Sequence, residues 1–192
     1  MAAPFARYDS FPHATLAAWR PQFPPGRLER IYLHWSAGDY ETVYPAYHFC
    51  IAIADGEPVV VQTHDLRANM RDVREGDAPY AAHTAGRNSY AAGIAIMAMR
   101  DARPDDFGAY PLVEDAVTAL CEVAATVAQA YDIPLDVEHV MTHAEAAIVD
   151  GYFGAGGDRE RWDIARLVPA ALPLTENDAR VAGDTLRARA RG

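Results

Sequence analysis

The chain reads as an α/β protein with a mixed central β-sheet flanked by helices. Three observations predict this. Short runs of β-branched and aromatic residues recur before residue 100 and once more near residue 140. One of them, 93–99, is nearly all apolar, as expected of a strand buried on both faces. A single amphipathic segment, 113–131, then carries apolar residues at three- and four-residue spacing. Strands, helix, strand and loop in that order describe a sheet with helices packed on it.

Residues 1–27 are crowded with Pro and aromatic side chains, among them Phe5, Phe11, Pro12, Trp19, Pro21 and Phe23. Proline breaks regular structure, so this stretch is expected to be an irregular arm pinned to the domain by its aromatics, with one helical turn near 15–19. The main domain is expected over 28–170. Its first strand is 30–35, Arg-Ile-Tyr-Leu-His-Trp, followed by a loop at 36–39. A second strand covers 47–54, and Asp55-Gly56 turns it back into 58–63. Residues 67–88 are polar and irregular. Pro111 suits the entry of the 113–131 helix, where its missing N–H costs nothing. One more short strand, 137–141, ends at Thr142-His143, and a glycine-rich loop follows at 151–157. Residues 171–192 read as a polar tail with a helix over 175–190, capped by Thr175 or Asn177.

Composition narrows the function classes. Hydrophobic residues make up 51% and charged residues 23% of the 192, an ordinary globular balance. Lys and Arg number 17 against 27 Asp and Glu, a formal net charge of -10. Nucleic-acid binding relies on basic surface, so such a partner is not expected. No apolar run approaches the ~18 residues of a membrane span, so membrane insertion is not expected either. The first residues lack the basic-then-apolar pattern of a secretory signal, which leads to an expectation of cytoplasmic synthesis. The two cysteines, Cys50 and Cys121, lie far apart in apolar segments and read as buried free thiols.

Histidines carry the chemistry. His34 and His143 each end a strand, where a side chain is rigidly aimed and can face a cleft. With Asp163 they can supply the three protein ligands that a catalytic zinc needs beside an open position.

Four segments, in order, resemble the zinc-dependent N-acetylmuramoyl-L-alanine amidases, the family that includes phage lysozyme-type amidases and animal peptidoglycan recognition proteins. They are Ile31-Tyr32-Leu33-His34; Ala46-Tyr47-His48-Phe49 with Asp55-Gly56; Ala82-His83-Thr84-Ala85-Gly86-Arg87-Asn88 with Ala92-Gly93-Ile94; and Thr142-His143-Ala144-Glu145 running to Arg161-Trp162-Asp163. The resemblance spans roughly 30–168. It implies that family's mixed-sheet fold, a Zn2+ held by His34, His143 and Asp163, and hydrolysis of the amide between N-acetylmuramic acid and L-alanine. Tyr47 and Arg161 take the catalytic positions, Arg161 as donor to the developing oxyanion. His83 and Asn88 take substrate-binding positions. The implied partner is peptidoglycan or a soluble muropeptide, in an endolysin-like setting with release to the cell wall. The alternatives are a non-catalytic peptidoglycan-binding protein and a cytoplasmic muropeptide-recycling amidase.

Two departures from the family pattern bear on this. His143 and Asp163 are separated by the glycine-rich stretch, which leaves Asp150 and Asp158 as rival third ligands. The recycling branch carries a glutamate after the Gly-Ile pair, where this chain has Ala95. Of the remaining histidines, His48 alternates away from Tyr47 and reads as structural. Glu145 is either a partner that orients a ligand or an exposed helix-start acid. Gly183-Asp184-Thr185-Leu186 is similar to a wall-binding repeat motif, but six following residues are too few for that module, and a helix with Leu186 facing the domain is the preferred reading.

Overall fold

A computed structural model describes residues 5, 7–13, 16, 23–157 and 161–192. Its sheet has six strands, β1 (Asp9–Pro12), β2 (Arg30–Trp35), β3 (Phe49–Ala54), β4 (Glu57–Gln62), β5 (Ala91–Ile96) and β6 (Val140–Thr142), in the order β1-β4-β3-β5-β2-β6. The helices are α1 (Glu114–Ala130), α2 (His143–Asp150) and α3 (Glu176–Arg191). This is the α/β class, with a mixed sheet: β2, β5 and β6 run parallel, as do β3 and β5, while β1-β4 and β3-β4 are antiparallel.

Alternation sorts the side chains. Ile31, Leu33, Phe49, Ile51, Val60, Ile94 and Ile96 face the main core, where the α1 residues Val117, Leu120, Ala124 and Val127 cover them. The intervening residues, Cys50, Ala52, Val61 and Ala95, form a smaller cluster on the other side. Tyr32 and His34 alternate with Ile31 and Leu33 and therefore turn away from α1. A fully buried aliphatic side chain contributes about 1.5–3 kcal/mol relative to exposure, so this pattern sets strand register strongly. A slip of one residue would send His34 into the core beneath α1.

The structure departs from the sequence expectations in two elements. Within the stretch read as irregular, Asp9–Pro12 forms an edge strand paired with β4 through the register Asp9↔Gln62. Pro12 is tolerated there because an edge strand needs no donor on its outer side. The helical turn expected near 15–19 lies largely outside the described residues. The short helix α2 is anticipated only in the alternative reading of Glu145 as a helix-start acid, and that acid is buried, not exposed. The helix begins on Thr142, whose side chain accepts from Glu145 N while the Glu145 carboxylate accepts from Thr142 N, and it ends on Gly151 at φ 78. That reciprocal capping box is visible in sequence as Thr-x-x-Glu. No helix among the described residues is long and apolar enough to cross a membrane.

The C-terminal helix α3 follows a second capping box, Thr175 with Asp178, so Thr175 is the cap. Leu186 and Ala179 enter the main core, and the helix packs against α1, α2 and β6.

Candidate metal centre

The ends of the parallel strands assemble the site. Leu33 pairs in register with Thr142 across β2 and β6, so the next residues, His34 and His143, emerge side by side. The carboxyl ends of parallel strands are where open α/β sheets bind ligands. Ala95 is the register partner of His34 on β5, and its small side chain leaves room beside the imidazole. His143 is the first residue of α2, and the second, Ala144, donates its backbone N–H to Asp163 O at 3.1 Å. One helical turn thus positions two of the three residues. The next residue, Ile164, is fully buried at φ 58, a conformation that β-branched side chains rarely adopt.

The three groups converge. His34 Nδ1 lies 3.1 Å from His143 Nδ1 and 3.0 Å from Asp163 Oδ2, and His143 Nδ1 lies 3.0 Å from the same oxygen. All three residues are buried, and the group can hold a metal ion. A tetrahedral ion with bonds of about 2.0–2.1 Å has ligand-to-ligand edges of roughly 3.3 Å, close to the spacings here. Asp163 Oδ1 is also buried and has no hydrogen-bond partner.

The surrounding bonds favour lone pairs toward the centre. His34 Nε2 meets Thr84 Oγ1 at 3.3 Å, and the same hydroxyl lies 2.9 Å from His83 Nδ1. With Nε2–H donating to Thr84 and the Thr84 hydroxyl donating to His83, the His34 Nδ1 is left unprotonated. It then faces another acceptor, Asp163 Oδ2, an arrangement that repels unless a cation or proton lies between. Burial outweighs the Asp163 hydrogen bond and draws the His34 pKa down to about 4. Burial opposes ionisation of Asp163, but the facing His143 and His34 prevail and hold its carboxyl below the usual range. A neutral His34 and an ionised Asp163 are the protonation states that metal binding requires.

His143 and Asp163 border a groove of about 1130 Å³, whose lining also includes Trp35, Tyr47, Tyr80, Tyr152, Arg161 and Trp162, while His34 is fully buried. The Tyr47 ring sits 5.2 Å from that of His34. Burial, reinforced by the Asp163 charge, raises its hydroxyl pKa, so the group stays protonated and acts as a donor. Arg161 is exposed and lines the same groove. Trp162 stacks edge-on against Trp35 at 5.1 Å.

His83 and Asn88 also line the groove. The Asn88 side-chain oxygen accepts from His83 N at 3.1 Å and Thr84 N at 2.9 Å, so this asparagine ties the loop that carries both. His48 is fully buried and its Nδ1 accepts from Gly93 N at 3.0 Å. Of the rival ligands, Asp150 is engaged by Arg87 through two contacts of 2.6 Å, and Asp158 lies outside the described residues. The sequence alone does not pick out Thr84, Trp35 or Tyr152 as site residues; Thr84 adjoins His83 in a segment already singled out. No protein-family model, curated protein or solved structure matches this chain.

Proposed function

We propose that the chain is a zinc-dependent amidase that hydrolyses the bond between N-acetylmuramic acid and L-alanine in peptidoglycan or its fragments. One observation carries the reading: two imidazoles and a carboxylate, brought together from β2, α2 and the loop after 157, converge within 3.1 Å of one another beside an open groove. A donor set of two imidazole nitrogens and one carboxylate oxygen is borderline-hard and suits zinc. When bound, zinc supplies an activated water at neutral pH and polarises the amide carbonyl.

The chain's own residues do the rest. Arg161 presents a permanently charged fork of donors to the carbonyl oxygen as negative charge develops on it. Tyr47, held protonated by burial, donates a hydrogen bond that orients the reacting groups. Trp35 and Trp162 form an apolar wall that limits water access. Thr84 and Asn88 keep the loop under His34 in place. With Ala95 beside His34, that position offers no carboxylate base of the kind found in the recycling branch.

The test is digestion of purified sacculi by zinc-loaded protein, with and without chelator, followed by product analysis. New L-alanine amino termini and free lactyl-muramic ends that vanish with chelator are the expected result. A folded, zinc-loaded protein that binds sacculi without releasing these ends supports a non-catalytic binding role and overturns the amidase reading.

A further inference from the structure

Glu145 and Gly183, two residues outside the proposed chemistry, meet behind His143. Glu145 occupies the third position of α2. Its Oε2 accepts from Thr142 N at 2.9 Å, and its own N–H donates to Thr142 Oγ1 at 3.1 Å. The carboxylate is also gripped by Arg187 of α3, which donates to Oε2 and Oε1 at 2.8 Å each. The same guanidinium reaches Val140 O and Asp184 Oδ1, again at 2.8 Å each. Glu145 and Arg187 are only 4% and 3% exposed. One turn before Arg187, Gly183 leaves a notch in α3: a Cβ there would come within 2.2 Å of Glu145 Oε2.

Burying an ion pair is expensive, and an apolar pair of similar volume often stabilises as well or better. A bidentate, fully bonded pair at this place does something that apolar packing does not: it holds direction. The first turn of α2 presents the His143 imidazole and, through Ala144 N, the backbone of Asp163. Its orientation therefore sets the distance between two ligand groups.

We infer that Arg187, through Glu145 and with the Gly183 notch, is a positioning residue for the metal centre, so that the C-terminal helix is part of the centre's scaffold. This rests on the reading that His34, His143 and Asp163 hold zinc. Residues that support ligands from outside typically change metal affinity by about 10–100-fold when altered.

The experiment measures zinc affinity by competition with a chromophoric chelator, and the visible spectrum of the cobalt(II) form, on the full chain. Fold is followed by circular dichroism. Arg187→Lys keeps the charge and loses the fork. Gly183→Ala favours the helix itself while pushing the Glu145 carboxylate, and it decides the matter if Arg187→Lys does not fold. Both are expected to keep native helix content, to bind zinc about tenfold or more weakly, and to shift the cobalt bands. His143→Ala is the control for the metal reading. Wild-type zinc affinity and cobalt spectrum in folded Gly183→Ala and Arg187→Lys, with His143→Ala devoid of metal, overturn the positioning role alone. Absence of zinc binding by the wild type overturns the metal reading and this inference with it.

Discussion

His34 and His143 bring their Nδ1 atoms to 3.1 Å although 109 positions separate them in the chain. Neighbouring parallel strands make this possible: the last rung that β2 and β6 share is Leu33↔Thr142, and each histidine is the first side chain past it, His34 still within β2 and His143 opening α2. The approach of the two imidazoles is fixed by backbone pairing; only the third group, Asp163, is delivered by a loop.

Metal content tests that approach directly. Purified protein is expected to carry about one zinc per chain, as for a single three-ligand site. His143→Ala and Asp163→Ala lose it, whereas Asp150→Ala keeps it, because Asp150 is paired with Arg87. Elemental analysis of folded samples reads the outcome. A zinc-replete Asp163→Ala protein would remove that residue from the ligand set.

Arg161 is expected to act in the transition state, not in metal binding. Removing one oxyanion donor typically costs about 10²–10³ in turnover. Arg161→Ala should keep zinc and most substrate affinity and lose kcat by about that factor, with Arg161→Lys recovering part. Steady-state kinetics on zinc-loaded enzyme decide it, and an Arg161→Ala enzyme with wild-type kcat ends the assignment.

Tyr47→Phe removes one hydroxyl and little else. Its raised pKa, caused first by burial, makes it a hydrogen-bond donor near neutrality. Loss of one neutral hydrogen bond is worth about 1 kcal/mol, so kcat is expected to fall about fivefold to tenfold. The acid limb of the pH-rate profile should stay in place, since this group does not titrate there. Movement of that limb in Tyr47→Phe would show the hydroxyl to be exchanging a proton in that range.

Much of this architecture is legible in the sequence, for identifiable reasons. The strand carrying His34 and the apolar run read over 93–99, which pairs as a strand over Ala91–Ile96, announce themselves because burial on both sides demands apolar residues in sequence. Helix α1 is equally plain, since one face must match the sheet for 17 residues. Helix α2 is hidden because eight alanine-rich residues present no stripe, and only the Thr142-Glu145 box marks its start. The choice of Asp163 over Asp150 depends on how the loop between them returns, and the bond from Ala144 N to Asp163 O is a tertiary fact with no local signal. The pairing of β1 with β4 is of the same kind: Pro-rich composition hides a strand whose partner is about 50 residues away.

Acid should weaken the fold, and His48 is a measurable part of it. Burial, with nearby His64 adding to it and Asn69 and Asp65 opposing, lowers this imidazole from 6.5 to about 3. A histidine buried neutral binds its proton more readily in the unfolded chain, so stability rises with pH. The contribution is complete above about pH 7 and is lost as pH falls from 6.5 toward 3. At pH 5 this one group costs about 2 kcal/mol relative to neutral pH; His34, lowered to about 4, pulls in the same direction. His48→Asn removes the titrating ring while its side-chain oxygen can still accept from Gly93 N. Melting curves of chelator-treated protein between about pH 7 and pH 5 make the comparison. The variant should lose less stability over that range by about 2 kcal/mol, or about 4–8 °C in Tm for a chain of this size. Equal slopes for the two proteins would mean that His48 takes up its proton in the folded state without penalty, and the acid sensitivity would then have to come from His34 and the other buried groups.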